Sequence, residues 1–268
     1  MKVSYIITFR DDQRRRSANL STVLDWLSWF QDIEVIVVEQ DAVSAFQGNK
    51  LPPNCKTLFV PYDGAFNKSW GLNLGYRHSV GDVLAFGDSD IIMNREVLAS
   101  CFDACFRPYD AVNPYDRVVD LTDAESQVMM KGDYDPDVTR RVEDMNRVDT
   151  GEFPCFCGGI FLIKRKIYEA IGGFDERFLG WGGEDDAMTH KLLALSNNVK
   201  TMPNQRAFHL WHERNPATLY GHAHYQDNLK LIAEYRSYEK ADLLRLCERQ
   251  AKSMGRIDKY ATGESKSQ

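Results

Sequence analysis

Residues 3–38 decide the fold class, and they read VSYIITFRDDQRRRSANLSTVLDWLSWFQDIEVIVV. Val3 to Phe9 is a short apolar run rich in β-branched and aromatic residues, which is typical of a buried strand. Ser17 to Phe30 has apolar residues at helical spacing, and Ile33 to Val38 is apolar except at one position. A strand, a helix and a second strand in this order predict a parallel sheet whose faces are covered by helices.

The alternation continues along the chain, with a polar, charge-mixed stretch from Asp116 to Glu152 that we interpret as an irregular insertion. Further strands are predicted over Lys56 to Val60, Asp82 to Phe86 and Gly158 to Ile163. Further helices are predicted over Asn67 to Val80, Asn94 to Phe106, a short segment ending at Ile171, Glu184 to Leu195, and one amphipathic helix from Leu229 to Lys252. The fold class is therefore α/β, with a mostly parallel central sheet flanked by helices.

Composition narrows the functional classes. The chain has 268 residues, 43% of them hydrophobic and 27% charged, which is the profile of a soluble globular protein. Its formal net charge is −6, whereas a nucleic-acid binder normally carries a basic surface, so we do not expect nucleic acid as a partner. Six cysteines show neither a zinc spacing nor a disulfide framework, so we expect reduced thiols. No apolar run approaches the roughly 18 residues of a membrane span, and the start lacks a signal-peptide layout, so we expect a cytoplasmic protein.

Polar residues follow three of the predicted strands. They are Arg10-Asp11, Glu39-Gln40-Asp41 and Asp88-Ser89-Asp90. In parallel sheets, ligands bind beyond the carboxyl ends of the strands, so we expect these residues to border one crevice. Two carboxylates one residue apart can hold a hard divalent cation and its phosphate ligands. The spacing of Asp88 and Asp90 is common by chance, and a solvated turn is the alternative, but a position after a buried strand favours a cation site.

The run Trp181-Gly182-Gly183-Glu184-Asp185-Asp186 opens a predicted helix. Acids in a first helical turn complement the helix dipole, and a glycine can cap the helix, so part of the run has a structural explanation. Three acids beside a tryptophan exceed that need and indicate sugar recognition, with the indole stacking on a pyranose and carboxylates binding hydroxyls. One of these carboxylates could serve as a general base.

Two histidines and two cations complete the set of candidate residues. His209 and His212 lie near the end of an apolar-mixed stretch, and we expect one or both to bind the metal, although a lone histidine is more often a packed residue. Lys68, at a helix start after Asn67, and Arg10 are candidates for contacts with a diphosphate or base. Solvation at the surface explains either cation equally well on its own.

Taken together, these segments resemble the metal-dependent glycosyltransferases of GT-A fold, and within them the β-1,4-galactosyltransferase-like group. The polypeptide N-acetylgalactosaminyltransferases and chondroitin-polymerase type domains share a similar Trp-Gly-Gly-Glu segment. The likeness spans most of Val3 to His212, and its most specific part is Trp181 to Asp186 after Gly172-Gly173-Phe174. The other segments are Thr8-Phe9-Arg10, Phe66-Asn67-Lys68 with Leu72-Asn73, Phe86 to Asp90, and Gly158-Gly159.

The resemblance implies a role for each matching residue. Asp185 would be the catalytic base, and Asp90, His212 and His209 would bind Mn²⁺ or Mg²⁺. The donor nucleotide-sugar would be bound by Thr8, Phe9, Arg10, Phe66, Asn67, Lys68, Asp88 and Gly159. Glu39 and Asp41 are added to the donor side because of their position at the end of a predicted strand. The acceptor sugar would be bound by Trp181, Gly183, Glu184 and Asp186.

The implied activity is transfer of a hexose or N-acetylhexosamine from a UDP-sugar, with UDP-galactose or UDP-N-acetylgalactosamine favoured, to a carbohydrate or glycoconjugate hydroxyl. Inversion at the anomeric carbon is expected, and a retaining transferase of the same fold or a non-catalytic sugar-nucleotide or glycan-binding relative is the alternative. One GT-A domain is expected over 1–268. It would comprise a nucleotide-binding half (1–113), the irregular insertion (114–152), an acceptor and catalytic half (153–215), and a C-terminal helical extension and tail (216–268).

Overall fold

The computed structural model describes residues 2–11, 15–45, 51–132, 134, 156–214 and 219–260. Ten strands and eight helices lie within these ranges. The strands are β1 (Val3–Phe9), β2 (Ile33–Asp41), β3 (Cys55–Pro61), β4 (Val83–Gly87), β5 (Ile91–Met93), β6 (Ala111–Asn113), β7 (Arg117–Asp120), β8 (Phe161–Lys164), β9 (Val199–Thr201) and β10 (Arg206–His209). The helices are α1 (Arg15–Leu27), α2 (Lys68–Arg77), α3 (Arg95–Phe106), α4 (Asp123–Met129), α5 (Arg165–Ala170), α6 (Glu184–Leu195), α7 (Tyr225–Ser237) and α8 (Lys240–Ser253).

Seven strands form the main sheet in the order β3-β2-β1-β4-β8-β6-β9. β3, β2, β1 and β4 are parallel to one another, whereas β8 is antiparallel to both β4 and β6. Every residue of β1 is buried, because helices cover both faces of the sheet. Alternate residues of β1 therefore point into two different apolar clusters, with Tyr5 and Ile7 on one face and Ile6 on the other.

The first of these clusters packs α1 and α3 against the sheet, and the second packs α5, α6 and α8 against the opposite face. Trp26 of α1 is fully buried in the first cluster and donates its indole N–H to the Met93 carbonyl at 2.9 Å. Tyr168 of α5 is fully buried in the second cluster against Phe86. The sheet is thus held between two helical layers.

A second, three-stranded sheet has the order β5-β10-β7 and lies beside the end of β4. β10 runs antiparallel to β5 and parallel to β7. In this register His209 lies opposite Ile91 on one side and Asp120 on the other. The small sheet therefore brings residues from three distant parts of the chain to the carboxyl edge of the main sheet.

The predicted fold class is confirmed, and the strand and helix boundaries up to β4 agree with the sequence prediction to within a few residues. The prediction of an irregular insertion from Asp116 to Glu152 is wrong for its described part, which contains β7 and α4. Two local signals explain this: a short run of β-branched residues, and a capping box in which Thr122 and Glu125 satisfy each other's backbone N–H groups. Residue 133 and residues 135–155 lie outside the described part.

The prediction of a single helix from Leu229 to Lys252 is also wrong. Tyr238 and Glu239 have extended backbone and separate this stretch into α7 and α8. The break allows α7 and α8 to approach the same apolar cluster from two directions. Tyr235 of α7 and Leu243 of α8 both pack in the cluster that contains Phe178. Tertiary packing thus overrides a continuous amphipathic pattern.

The sequence predicts no membrane span and no disulfide framework. None of the helices described there is both long enough and apolar enough to cross a bilayer. The five cysteines that fall in the described ranges are free thiols, and burial raises the pKa of the Cys101 and Cys105 thiols to about 12. These two thiols belong to the core, and burial makes them poor nucleophiles.

Candidate active site

The site forms where the carboxyl ends of β1, β2 and β4 meet the starts of α2 and α6. Asp88 and Asp90 follow β4 directly, as the sequence predicts. Asn67 caps α2 by accepting the Trp70 backbone N–H at 2.8 Å, so Lys68 is the first helical residue and faces the same edge. Residues of distant segments thus converge on one crevice.

Asp90, His209 and His212 form a compact group in which one ligand atom from each lies within 4.8 Å of the others. His209 Nε2 lies 3.6 Å from Asp90 Oδ1, and His212 Nε2 lies 3.5 Å from Asp90 Oδ2. The backbone helps to hold the group together, since the Leu210 N–H donates to the Asp90 carbonyl at 2.7 Å. Both histidines, rather than one, therefore face the second acid of the Asp-Ser-Asp run.

The donor set of this group fits a divalent cation. A carboxylate oxygen and two imidazole nitrogens are suitable ligands for Mn²⁺, and imidazole also suits several other transition metals. The three side chains are only 8–13% exposed. Burial lowers the pKa of His212 against the opposing effect of Asp90, which favours the neutral, metal-binding imidazole. His212 lies past the end of β10, so it faces the same acid as His209 although the two are three residues apart.

Lys68 connects three carboxylates. Its Nζ lies 3.0 Å from Asp88 Oδ1, 3.2 Å from Asp185 Oδ2 and 3.4 Å from Glu184 Oε1. The Lys68 side chain is only 17% exposed, so this is a largely desolvated ion cluster. The cluster joins the end of β4 to the first turn of α6 and so links the two acidic motifs that the sequence analysis singled out.

The electrostatics of this cluster are set by burial and by mutual repulsion. Burial raises the pKa of Asp185 well above its usual value, and the charges of Glu184 and Asp88 add to that effect against the influence of Lys68. Burial also raises the pKa of Asp88. Burial alone would lower the pKa of Lys68, but Asp185, Asp88 and Glu184 outweigh it and raise that pKa well above its usual value. A buried carboxylate with a raised pKa beside a cation is typical of a general base.

Glycine is required at the start of α6. Gly183 is the N-cap residue and has a φ of 95°, a conformation in which a Cβ would approach Phe178 Cε1 to 2.7 Å. This sharp turn directs Glu184 and Asp185 toward Lys68. Asp186 makes no contact with Lys68 among the described ion pairs, and burial together with Glu184 raises its pKa.

Trp181 is exposed and lies in a cluster of aromatic rings three residues before the start of α6. Its side chain is 42% exposed; its ring stacks on Tyr225 with centroids 6.1 Å apart and meets Tyr220 edge-on at 4.9 Å. The Trp181 carbonyl accepts hydrogen bonds from His222 Nε2 at 2.8 Å and Asn228 Nδ2 at 3.2 Å. The start of α7 thus supports the tryptophan and extends the aromatic surface.

On the donor side, Arg10 is engaged by the backbone. Its Nε donates to the Gln40 carbonyl at 2.6 Å, and its terminal nitrogens donate to the Gly64 and Tyr62 carbonyls at 2.7 and 2.9 Å. The guanidinium also lies 5.5 Å from the centre of the half-buried Phe66 ring. Arg10 therefore shapes the loop that precedes α2 and orients Phe66 at the edge of the crevice.

Other predicted donor residues are buried beneath the crevice. Phe9 lies in the core, and Thr8 accepts from Gln40 Nε2 at 2.9 Å. Gln40 also bonds the Asn67 backbone, and Asn67 Nδ2 donates to the Glu176 carbonyl at 2.9 Å. The side chains of Thr8, Phe9 and Asn67 are thus used in packing and in hydrogen bonds that hold the end of β1 against the start of α2.

Of three further residues predicted to bind the donor, Glu39 and Asp41 lie at the end of β2, and Gly159 precedes β8. Glu39 is fully buried and accepts from Ser44 Oγ and the Ala45 N–H, and Asp41 accepts from the Ala42 N–H, so both stabilise the loop after β2. Gly159 has a φ of 72°, and a Cβ there would lie 2.2 Å from the Tyr115 hydroxyl. These residues support the crevice rather than line it with free functional groups.

Sequence reasoning missed residues that the structure brings to the site. Sequence reasoning singles out Gln40 only as part of the triplet Glu39-Gln40-Asp41, and it singles out neither Tyr220 nor Tyr225. Asp120 falls in the predicted irregular insertion, although it is the last residue of a short strand, much as Asp88 directly follows β4. An acid at the end of a strand is therefore the signal by which Asp120 could have been found.

Part of the chain is similar in sequence to proteins named as glycosyltransferases. A family model described as the N-terminal domain of galactosyltransferase matches residues 150–213. Chondroitin sulfate N-acetylgalactosaminyltransferase 2 of Mus musculus is 32% identical over 168 residues, which are 59% of this chain and 29% of the relative. Polypeptide N-acetylgalactosaminyltransferase 10 of Rattus norvegicus is 26% identical over 183 residues, 64% of this chain and 30% of that protein. The chain thus spans less than a third of the length of these relatives.

Solved structures show the same architecture. Residues 1–349 of S. aureus TarS, solved with UDP-GlcNAc, match with a TM-score of 0.55 at 17% identity, over 93% of this chain and 72% of that one. GalNAc-T7, solved with UDP, GalNAc and Mn²⁺, matches with a TM-score of 0.60 at 14% identity, over 93% of this chain and 55% of that one. The chain therefore has the GT-A fold, as its resemblance predicted, and its sequence relatives are glycosyltransferases.

Proposed function

We propose that this chain is a metal-dependent glycosyltransferase that transfers an N-acetylhexosamine or hexose from a UDP-sugar to a glycan hydroxyl, with inversion. The observation that carries this proposal is the meeting of two groups at one sheet edge. The metal-ligand set Asp90, His209 and His212 lies on one side, and the Lys68–Asp185 pair lies on the other. UDP-N-acetylgalactosamine is the preferred donor, because two of the curated relatives are N-acetylgalactosaminyltransferases.

The reaction requires a base for the acceptor. Asp185 would accept the proton of the acceptor hydroxyl as that oxygen bonds to the anomeric carbon and the bond from this carbon to the diphosphate breaks. Lys68 favours the charged form of Asp185 against the effect of burial and orients the carboxylate through their 3.2 Å contact. Asp90, His209 and His212 would hold Mn²⁺ or Mg²⁺, which when bound supplies positive charge for the leaving diphosphate.

The proposed acceptor surface is the exposed aromatic cluster of Trp181, Tyr220 and Tyr225. Tyr220 is 63% exposed, and exposed rings in mutual contact leave apolar surface in water unless a ligand covers it. The faces of aromatic rings suit the apolar face of a pyranose, and the adjacent Glu184 and Asp186 carboxylates would bind hydroxyls. This aromatic surface favours a carbohydrate acceptor. The cytoplasm remains the cellular location that we predict.

The decisive experiment replaces Asp185 by Asn, which keeps the size of the side chain and removes the base. We expect turnover with UDP-N-acetylgalactosamine, Mn²⁺ and a panel of glycan acceptors to fall by about 100-fold or more. Donor binding, measured as the rise in thermal midpoint, is expected to stay near the wild-type value. A donor at 100 times its dissociation constant adds about 2.7 kcal/mol, which corresponds to roughly 5–10 °C for a domain of this size.

Two control variants show whether the change in turnover is specific to Asp185. Asp90→Ala is expected to abolish the metal-dependent rise in midpoint, and Asp227→Asn, an exposed acid of α7, is expected to behave like wild type. Unchanged turnover in Asp185→Asn would remove this residue from the mechanism. A wild-type protein that binds the donor but neither transfers nor hydrolyses it would support the binding-relative alternative, and product of retained anomeric configuration would support a retaining transferase.

A further inference from the structure

The three-stranded sheet places a second carboxylate behind one of the two histidines. His209 lies between Ile91 of β5 and Asp120 of β7 in the strand register. Its Nε2 faces Asp90 Oδ1 at 3.6 Å, and its Nδ1 faces Asp120 Oδ1 at 3.0 Å. The imidazole thus has one nitrogen toward the metal-ligand set and the other toward a carboxylate outside that set.

The contact at 3.0 Å favours a proton on Nδ1 of His209. A carboxylate oxygen accepts hydrogen bonds, so a hydrogen on Nδ1 makes this contact a hydrogen bond, whereas a lone pair there would face the negative charge. In a neutral imidazole, Nε2 is then left with its lone pair directed toward Asp90 and His212. That tautomer is the one that can bind a cation at the Asp90 side.

Arg214 is the second partner of Asp120. Its NH2 lies 2.8 Å from Asp120 Oδ1 and 3.4 Å from His209 Nδ1. The longer distance and the presence of the carboxylate favour Asp120 over His209 as the acceptor for Arg214. An ion pair of this kind holds Asp120 in place behind the ring.

We propose that Asp120 is a positioning residue that fixes the tautomer and ring orientation of His209 for cation binding. This inference rests on the proposed function, because it assumes that Asp90, His209 and His212 hold a divalent cation. A carboxylate behind a metal-binding histidine raises the basicity of the ligand, and its loss typically lowers metal affinity about 10–100-fold. Asp120, the carboxylate in question, lies on β7, which contains neither of the two acidic motifs.

The test measures Mn²⁺ affinity directly, in the full chain and without substrate, from the electron paramagnetic resonance signal of free Mn²⁺. Asp120→Ala is expected to weaken binding about 10–100-fold, whereas Asp120→Asn keeps an oxygen acceptor and is expected to recover most of it. Asp116→Ala is the matched control, because Asp116 precedes β7, is 30% exposed against 29% for Asp120, and does not contact His209.

A double-mutant cycle with His209→Ala shows whether Asp120 acts through that ring. If it does, adding Asp120→Ala to His209→Ala causes no further loss of Mn²⁺ affinity. Wild-type affinity in Asp120→Ala, or losses that simply add in the double variant, would overturn the positioning role and leave the proposed function intact. Failure of the wild-type chain to bind Mn²⁺ at all would instead overturn the metal dependence itself, and this proposal with it.

A second measurement covers the case in which Asp120→Ala does not fold. The ¹⁵N chemical shifts of the His209 ring in wild-type protein, above the pH range in which histidine usually titrates, report which nitrogen carries the proton. A proton on Nδ1 supports the proposal, and a proton on Nε2 contradicts it.

Discussion

Replacement of Lys68 by Met tests the ion cluster at the centre of the site without any need for substrate. The change keeps most of the apolar stem and removes a cation shared by three carboxylates at 3.0–3.4 Å. Removal of one member of a buried ion pair costs about 3–5 kcal/mol, because the remaining charge is left uncompensated. Asp88 is partly exposed, so we expect the lower end of that range, about 3 kcal/mol, at neutral pH and above.

The loss should depend on pH, with a sign that follows from the pKa shifts. Burial already raises the pKa values of Asp88 and Asp185, and without Lys68 these pKa values rise further. An acid whose folded-state pKa is raised binds its proton more tightly in the folded chain, so its contribution to stability falls as pH rises from the unfolded pKa through the folded one. The cost of Lys68→Met is therefore largest at alkaline pH and shrinks on acidification, as the folded carboxyls take up protons.

The assay is urea unfolding of wild type and variant at about pH 8 and about pH 5, where carboxyls of the unfolded chain are mostly ionised at both values. Lys56→Met is the matched control, because Lys56 pairs with Glu34 at 2.6 Å but is 50% exposed. An exposed pair contributes about 0–1 kcal/mol, and this control should vary little between the two pH values. An equal loss for Lys68→Met at both values, or a loss no larger than that of the control, would refute the cluster's electrostatic account.

Two further predictions concern the start of α6. The rate of sugar transfer should fall on acidification, with an apparent pKa well above that of an ordinary aspartate. The reason is that Asp185 acts as a base only when it is ionised, and burial raises its pKa. A pH profile of kcat/KM measures this, and a fall in rate at the usual aspartate pKa would contradict the prediction. Gly183→Ala should destabilise the fold by about 1–3 kcal/mol more than Gly132→Ala in urea unfolding. Both glycines have φ near 95°, but a Cβ meets Phe178 only at Gly183, so equal losses would show that the contact is relieved at no cost.

The sequence by itself determined the elements whose signals are local. The apolar run of β1, the helical spacing of α1 and the start of α2 at Asn67 each depend on neighbours in the chain, and the sequence predicts each of these elements within a few residues. The acidic motifs were located for the same reason, since Asp88 and Asp185 sit at the end of a strand and in the first turn of a helix. A parallel sheet then dictates that such ends meet at one edge.

Only the tertiary structure decided which side chains touch. The sequence makes Lys68 a candidate for contacts with a diphosphate or base, and the structure shows it between the carboxylates of Asp88, 20 residues away in sequence, and Asp185, 117 residues away. Both His209 and His212 face Asp90, and Asp120 stands behind His209, because the register of β5, β10 and β7 aligns three segments that share no local pattern. Register is set by packing and hydrogen bonds across the sheet rather than by spacing along the chain, so it cannot be inferred from any single stretch of sequence.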